Sequence, residues 1–518
     1  MMNFKKLIRI IFGRSAVVIL ALLAQILFFV LAVNRFREAW VHFYTASIAL
    51  SLVIAIFIIN GKSNPSFKMT WLLLALAFPF FGTPLYIYTR IQLESRIVAK
   101  RLDEIIKKTK KYISADESVL EEIKAESPSE KNLAAYISGL CGYPPFKNTS
   151  AEYMPSGEAK FKLLKEELSK AERFIFLEYF IIERGVMWDG LLEILSEKAS
   201  AGVEVRVMYD GMCSLALLPW NYPKRLHKLG IQCKVFSQIR PVLSTVQNNR
   251  DHRKIAVIDG HTAFTGGVNI ADEYINERER FGHWKDTALM LKGEAANSFT
   301  MMFLQNWNLD AQDNGEDYEK YLCRNFSDVL NAERDTDGFF IPYGDSPLDH
   351  ELTGHSVYSD ILYRAEKYVH ITTPYLVPDN EMLTALKFAA KRSVETVIIL
   401  PHIPDKRYAY LLARTYYAEL IRAGVKIYEY TPGFIHAKMF ISDDIRAAVG
   451  TINIDFRSLY LHFECAAYCY GNSVVNDIEK DFQDTLKGCT QITLENCRKY
   501  NYFGQLAGWF LRLIAPLM

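Results

Sequence analysis

The chain has 518 residues, a formal net charge of +1 and a hydrophobic fraction of 50%. This length predicts two folded cores instead of one domain, and the balanced charge argues against the broad basic surface that binds duplex nucleic acid. The eight cysteines are scattered without a C-x-x-C pair, so we expect free thiols in a reducing compartment and no zinc site.

Three apolar stretches dominate residues 1–90, and they lie at about 15–33, 41–59 and 69–88. Each stretch can cross about 30 Å of hydrocarbon at 1.5 Å per residue, so we predict N-terminal transmembrane helices. The third contains the helix breakers Pro79 and Pro84, which favour a kinked or incomplete crossing.

The Lys and Arg residues around these stretches predict which side of the membrane the rest of the chain occupies. With three spans and an outside N-terminus, ten of these basic residues lie inside and six outside; the opposite orientation reverses the numbers. We therefore expect a multi-pass protein of the cell (plasma) membrane with the body that follows these stretches on the cytoplasmic side. The basic N-terminal tail argues the other way, which leaves a two-span topology open.

Residues 91–155 are rich in Lys and Glu and predict a charged helical connector. Helix and strand patterns then alternate through 156–325, and the same order recurs through 326–490; for example, Ala365–Val369 matches Ala171–Ile175. This alternation predicts an α/β fold with a largely parallel sheet in each of two halves.

The last segment, 491–518, ends in an apolar stretch that carries a single charge. It is too short to cross a membrane comfortably, so we expect it to lie in the membrane interface or against the protein.

One motif, H-x-K-x-x-x-x-D, occurs once in each half. The copies comprise His252, Lys254 and Asp259 in the first half, and His436, Lys438 and Asp443 in the second. A Gly and an Asn follow each His by the same 14 and 17 residues, at Gly266 and Asn269 and at Gly450 and Asn453. This repeat predicts two halves that pack about a pseudo-twofold axis and share one site.

Each motif lies on a predicted strand that leads into a turn. His and Lys, two positions apart, share a face of that strand, whereas the Asp points elsewhere. Two imidazoles can supply a nucleophile and a proton donor, and two lysines can bind phosphate, which predicts phosphoryl transfer without a metal. We assign Asp259 and Asp443 a structural role, closing the turn and holding the halves together.

At these residues the sequence resembles the phospholipase D superfamily and, within it, the bacterial cardiolipin synthases. The flanking stretches Asn249–Lys254, Phe264–Ile270 and Trp284–Thr287 carry the narrower resemblance, as does the Pro79, Gly82 and Tyr86 pattern in the third apolar stretch. One departure is Asp251, where such synthases more often have Asn. The resemblance covers nearly the whole chain and implies two α/β halves of the phospholipase D type, preceded by transmembrane helices.

The resemblance also implies roles for individual residues. His252 would be the nucleophile and His436 the acid and base, although the symmetry of the repeat cannot decide between them. Lys254, Lys438, Asn269 and Asn453 would bind the substrate phosphate, and Asp286 and Glu464 would orient the two imidazoles. Further candidates near the pocket are Glu178, Tyr179, Thr451, Arg457 and Ser458, whereas we interpret His261, His283, His402 and His462 as structural or surface residues.

The implied activity is that of a membrane-bound phosphatidyltransferase that makes cardiolipin and glycerol from two phosphatidylglycerol molecules through a phosphatidyl-histidine intermediate. The same site could instead use water, as a phospholipase D-type hydrolase, or an amino alcohol as acceptor. A nuclease is disfavoured by the apolar stretches and balanced charge, and a non-catalytic scaffold by the complete double motif. We expect no cofactor, no metal and no nucleic-acid partner, and the oligomeric state stays open.

Overall fold

The computed structural model describes residues 27, 31, 40–91, 93–113, 116–213, 217–238, 248–309, 315–324, 326, 337–349 and 351–517. Its α-helices are Trp40–Asn60, Pro65–Ala77, Pro79–Ile91, Leu93–Thr109, Glu117–Glu126, Pro128–Gly139, Gly157–Lys170, Val186–Ser200, Tyr222–His227, Ala296–Trp307, Thr353–Arg364, Asn380–Lys391, Arg407–Ala423, Phe456–Tyr460, Val474–Leu486, Leu494–Arg498 and Tyr502–Ile514.

The strands are β1 Thr149–Met154, β2 Phe174–Tyr179, β3 Glu204–Asp210, β4 Gln232–Phe236, β5 Arg250–Asp251, β6 Lys254–Ile258, β7 Thr262–Gly266, β8 His283–Lys285, β9 Ala288–Gly293, β10 Phe339–Asp345, β11 Tyr368–Thr372, β12 Glu395–Pro401, β13 Lys426–Tyr430, β14 Gly433–Ile435, β15 Met439–Ser442, β16 Arg446–Gly450, β17 His462–Tyr470 and β18 Cys489–Ile492.

The apolar stretch 69–88 forms two helices that fold back on each other, not one continuous helix. The rings of Trp71 and Tyr86 lie 5.5 Å apart, whereas residues this far apart in one helix would be separated by about 22 Å. Gly82 packs so closely that a side chain there would collide with the carbonyl of Leu74. The chain reverses before Pro79, which begins the second helix.

The stretch 41–59 lies within the helix Trp40–Asn60, and 15–33 lies outside the described residues except for positions 27 and 31. Across the described ranges, no helix combines the length and the apolar run that crossing a membrane requires.

The predicted connector, 91–155, contains a helix that is tied into the body of the protein. Glu130, on the helix Pro128–Gly139, is buried and pairs with Arg364 and Arg446. Tyr468 donates a hydrogen bond to the same carboxylate. This helix is therefore part of the second half's core, and the last residues of the segment form β1 at the edge of the first half's sheet, so this part of the segment is not a solvated linker.

Each half contains a mixed sheet, which corrects the expectation of largely parallel sheets. The strand order is β1-β9-β7-β6-β2-β3-β4 in the first half and β10-β17-β16-β15-β11-β12-β13-β18 in the second. Only β2-β3-β4 and β11-β12-β13 run parallel within these orders; the other neighbours are antiparallel. The antiparallel part arises because each motif strand turns directly back into β7 or β16, and a tight hairpin can join only antiparallel strands.

The two halves share one hydrophobic core. A single cluster of buried side chains includes Phe176 and Leu289 from the first half and Phe440 and Tyr358 from the second. Helix Ala296–Trp307 is buried along its whole length within this cluster. The shared core holds the two sheets in a fixed relation, which any site at their junction requires.

The C-terminal segment ends in helix Tyr502–Ile514, which packs against helix Arg407–Ala423. The hydroxyl of Thr70, in the N-terminal hairpin, donates a 2.8 Å hydrogen bond to the carbonyl of Leu513. The two ends of the described chain therefore meet.

Candidate active site

The motif histidines lie at a reciprocal exchange of strands between the halves. Strand β5, directly before His252, pairs in parallel with the start of β17 in the second half. Strand β14, directly before His436, pairs in parallel with β8 in the first half. The backbone N–H of His252 donates to the carbonyl of Phe463 at 2.9 Å, and that of His436 donates to the carbonyl of Lys285 at 2.7 Å. Each histidine is thus anchored by the opposite half.

The same exchange brings a carboxylate to each imidazole. Nδ1 of His252 lies 2.9 Å from both oxygens of Glu464, and Nδ1 of His436 lies 2.7 Å from Oδ2 of Asp286. Both carboxylates are fully buried. A carboxylate on Nδ1 fixes the tautomer that carries its proton there, which leaves Nε2 as the reactive nitrogen.

Burial dominates the electrostatics of the four motif side chains. It lowers the pKa of Lys254 to about 8 and that of Lys438 to about 7. Burial, followed by the charge on Lys438, lowers the pKa of His436 to about 4. Burial also lowers the pKa of His252 well below its usual range, although Glu464 opposes the shift.

Burial opposes the ionisation of the two carboxyl groups as well, but their partners prevail. The charge on His436 and its hydrogen bond lower the pKa of Asp286 against burial. His252 does the same for Glu464, whose pKa lies far below its usual range. Both groups therefore remain carboxylates at neutral pH and hold the Nδ1 proton of their histidines.

The two lysines lie beside their histidines, but not on one strand face as predicted, because His252 precedes β6 and both His436 and Lys438 lie between β14 and β15. Nζ of Lys254 donates to the carbonyl of His252 at 2.5 Å, and Nζ of Lys438 donates to the carbonyl of His436. The charge of Lys254 also lowers the pKa of His436 in the opposite half. Each half also supplies the carboxylate that contacts the other half's histidine, so the two half-sites meet within one chain.

The two motif asparagines lie in matching positions. Asn269 accepts a hydrogen bond from the backbone N–H of Ile181 and donates through Nδ2 to the Tyr274 hydroxyl at 2.8 Å. Asn453 donates through Nδ2 to the Ser458 hydroxyl at 3.0 Å. Because an amide nitrogen has two hydrogens, each side chain keeps one for a ligand.

Asp259 and Asp443 lie at the far end of the motif strands, away from the histidines. The carboxylate of Asp259 accepts hydrogen bonds from the backbone N–H groups of residues 172–174, and that of Asp443 from those of residues 366–368. Each therefore fastens the turn of its hairpin to the start of the neighbouring strand. The expectation that they hold the halves together is wrong, since both act within one half.

Sequence interpretation missed His462, which lies at the site and not on the surface. Its ring centroid is 5.4 Å from that of His252, and its Nδ1 is 3.6 Å from Glu464. The pseudo-symmetric position is Trp284, whose ring lies 5.5 Å from that of His436. Both residues precede an orienting carboxylate by two positions, a spacing that would have revealed His462.

Two further residues at the site differ in how well the sequence anticipated them. Thr451, a predicted candidate, donates a hydrogen bond to Glu464. Lys160, which the sequence did not single out, is fully buried, donates to the carbonyl of Val268 at 2.8 Å and has a pKa that burial lowers to about 7.

The remaining sequence candidates lie close to the site or outside it. Arg457 lies 3.4 Å from Nε2 of His462, and Glu178 is buried and accepts from Asn306. Tyr179 lies under the Nζ of Lys160. By contrast, His261, His283 and His402 contact Thr262, Tyr430 and Glu429, away from the motif side chains.

One group within the described ranges has the residue types and spacing of a metal site. It consists of His252, His462 and Glu464, whose ligand atoms lie within 4.8 Å of one another. This group includes a motif histidine, so metal independence stays a prediction.

The geometry agrees with comparisons to known proteins. The family model described as "Cardiolipin synthase, PLD-like domain" matches residues 164–307 and 358–486, which are the two halves. The model described as "Phospholipase_D-nuclease N-terminal" matches residues 49–90. The chain belongs to the cardiolipin synthase family of the phospholipase D superfamily.

Individual relatives support this membership across most of the chain. A cardiolipin synthase of Halalkalibacterium halodurans is 32% identical over 494 residues, covering 94% of this chain and 96% of its own. An uncharacterized protein of Streptococcus mutans is 49% identical over 463 residues, covering 89% and 99%. The crystal structure of a phosphatidylserine synthase of Haemophilus influenzae matches with a TM-score of 0.55 and 15% identity, covering 75% and 97%, which shows the shared fold. As a member of this family the chain is a phosphatidyltransferase.

Proposed function

We propose that this enzyme is a membrane-bound cardiolipin synthase that converts two phosphatidylglycerol molecules into cardiolipin and glycerol. The observation that carries the proposal is the reciprocal arrangement of His252 with Glu464 and of His436 with Asp286, together with two buried lysines. Such a site can transfer a phosphatidyl group through a histidine intermediate and can release an alcohol.

The first half-reaction breaks the bond between phosphorus and the glycerol head group. Nε2 of His252 attacks the phosphorus, and His436 protonates the departing glycerol oxygen. Lys254 and Lys438, aided by Asn269 and Asn453, stabilise the charge that develops on the phosphoryl oxygens. The product is a phosphatidyl group bound to His252 and free glycerol.

The second half-reaction reverses these roles with a new alcohol. A head-group hydroxyl of the second phosphatidylglycerol attacks the phosphorus, His436 accepts its proton, and the bond between phosphorus and His252 breaks. The negative phosphodiester raises the pKa of His436 from the low value of the free site, which allows it to carry a proton during turnover. Asp286 balances the resulting imidazolium charge.

We also propose that the enzyme is a multi-pass protein of the cell membrane with its catalytic body on the cytoplasmic side. The support is the exposed apolar surface at both ends of the chain, on helix Trp40–Asn60, on the hairpin after it and on helix Tyr502–Ile514. Because Thr70 and Leu513 join these ends, the apolar side chains lie on one part of the body, where a bilayer would cover them.

The experiment that tests the proposal follows the fate of labelled phosphatidylglycerol in membranes that contain the enzyme. Cardiolipin together with free glycerol is the expected result. Phosphatidic acid as the sole lipid product would instead identify a hydrolase. A new phosphatidyl ester that forms only when an amino alcohol is added would identify a different acceptor.

A further inference from the structure

A second site lies between the C-terminal helix and the body, away from the motif residues. Helices Arg407–Ala423 and Tyr502–Ile514 form the walls of a groove of about 620 Å³, and the short helix Leu494–Arg498 closes one end. None of the motif side chains or orienting carboxylates lines it. Its volume falls within the range that small-molecule sites occupy.

Two glycines bring the C-terminal helix into close contact with helix Arg407–Ala423 and so determine the shape of the groove. At Gly508 a side chain would come within 2.7 Å of Thr415 and 2.8 Å of the Leu411 carbonyl, and Gly504 faces the same Leu411. This close contact leaves the large apolar side chains Trp509 and Phe510 exposed next to the groove.

The lining of the groove is strongly cationic. Arg414, Arg422 and Arg498 line it, whereas its one acidic residue, Glu419, already pairs with Lys387 at 2.7 Å. Within the described part of the chain, the guanidinium groups of Arg422 and Arg498 have no hydrogen-bond or ion-pair partner. Two positive charges therefore face the groove without compensation.

Two buried polar atoms in the lining also lack strong hydrogen-bond partners among the described residues. The guanidinium of Arg414 stacks on the rings of Tyr410 and Tyr500, at 4.3 Å and 3.9 Å from their centroids. Its Nε is buried and forms no hydrogen bond to any described residue, and the buried Tyr500 hydroxyl has only the weak acceptor Cys497 beside it among the described residues. Poorly satisfied buried donors are costly, so a groove that keeps them is suited to a ligand that accepts hydrogen bonds.

We propose that this groove binds the phosphate of an anionic bilayer phospholipid, separately from the catalytic site. Arginine forks and a phenol hydroxyl match the oxygens of a phosphate group. The exposed apolar side chains of the adjacent helix match the acyl chains, which a free phosphate does not have. Charge and shape therefore both favour a lipid over a soluble anion.

The test counts lipids bound to the full chain in detergent micelles by native mass spectrometry. Dioleoyl phosphatidylglycerol and dioleoyl phosphatidylcholine are titrated against the wild type and the R422Q/R498Q variant. We expect the variant to lose one phosphatidylglycerol at concentrations that saturate the wild type, with an affinity at least tenfold lower. We expect phosphatidylcholine to bind weakly to both.

The matched control is K391Q/K487Q, which removes the same charge from exposed lysines outside the groove and should keep the lipid. Equal lipid counts in wild type and R422Q/R498Q would overturn the proposal, as would equal binding of phosphatidylcholine. If millimolar inorganic phosphate displaced the lipid and bound with the same affinity as the lipid, the groove would be a free-phosphate site. That result would also overturn the proposal. Cardiolipin formation by R422Q/R498Q, measured in parallel, reports on the proposed function independently.

Discussion

The two half-sites have the same backbone frame and different neighbours. Around His252, Glu464 also accepts a hydrogen bond from Thr451 and lies near the imidazole of His462. Around His436, Asp286 accepts a second hydrogen bond, from the backbone N–H of Thr287 at 2.8 Å. The position of His462 is taken by Trp284, which is apolar apart from one N–H.

This difference teaches how a symmetric fold can support two unlike chemical roles. Each carboxylate accepts one further hydrogen bond, but it is His252 that has a second imidazole beside it, and the charge of His462 adds to burial in lowering the pKa of His252. His252 is then suited to attack as a neutral imidazole and His436 to carry the proton. The following predictions test this comparison.

The largest effect is expected from removing either imidazole. His252→Ala and His436→Ala should each reduce phosphatidyl transfer at least a hundredfold, since neither role can be filled by the other histidine. Cardiolipin formation in membranes measures the loss, with His402→Ala, on an exposed side chain away from the site, as a control that keeps activity. More than about a tenth of wild-type activity in either alanine variant would contradict a shared site.

A smaller effect is expected from neutralising the orienting carboxylates. Glu464→Gln and Asp286→Asn should each lower kcat by roughly 10- to 100-fold, as partners of a functional imidazole do. Single-turnover formation of the phosphatidyl-enzyme from a substrate whose leaving group needs no protonation separates the two: Asp286→Asn, which impairs protonation by His436, should then be restored, whereas Glu464→Gln, which impairs attack by His252, should stay slow. If each variant disturbed only the histidine of its own half, the crossed pairing would be wrong.

The asymmetry itself is tested by His462→Asn. The groups that face His252 are Glu464, Lys254 and His462, and His462 is one of those that lower its pKa. Its removal should raise the pKa of His252, so that activity is lost at a higher pH as the solution is acidified. The acid limb of the kcat/KM profile measures this shift, with a loss at neutral pH of less than about tenfold. Trp284→Phe, which removes no hydrogen bond to a described residue, should not shift the acid limb of the kcat/KM profile.

Asp443 tests the part of the motif that lies away from the chemistry. Burial opposes its ionisation, but the hydrogen bonds from the backbone of residues 366–368 outweigh this and lower its pKa below the usual 3.8. A carboxyl group whose pKa is lower in the folded than in the unfolded state stabilises the fold at pH values above its unfolded-state pKa. This contribution disappears as the pH falls through its folded-state pKa.

Asp443→Asn should therefore destabilise the protein by roughly 1–3 kcal/mol at pH 7 and by less below pH 4. Activity per folded molecule should not change. Asn tolerates the positive φ of 58° at this position, so backbone strain does not confuse the result. Asp444→Asn, at an exposed neighbour, should change the unfolding free energy by less than about 0.5 kcal/mol.

Much of this arrangement could be predicted from the sequence, because a repeat with fixed spacing constrains geometry. The separate position of Asp259 and the contacts of Glu464 and Asp286 with the two histidines appear in the structure, whereas the predicted placement of His252 on the same strand as Lys254 is wrong, since β6 begins only at Lys254. Family membership, too, was evident from the motif and is confirmed.

What could not be predicted depends on contacts between distant segments. The crossed pairing of acids and histidines arises from β5 with β17 and from β14 with β8, and these short strands carry no pattern of their own. The reversal at Pro79 was visible only as a helix breaker, since a kink and a hairpin have the same local signal. His462 was missed because its partner in the repeat is Trp284 and not another histidine.

The smallest expected effect is that of a chelator. The site already contains the positive charge of Lys254 and Lys438, and Nδ1 of His252 is bonded to Glu464, so we expect phosphoryl transfer to need no metal there. Activity should survive EDTA when lipid aggregation is controlled, in wild type and in His462→Asn alike. If EDTA abolished activity and one divalent ion restored it, the group of His252, His462 and Glu464 would be its ligands. His462→Asn would then require more of that ion, and the asymmetry between the half-sites would serve metal binding instead of proton placement.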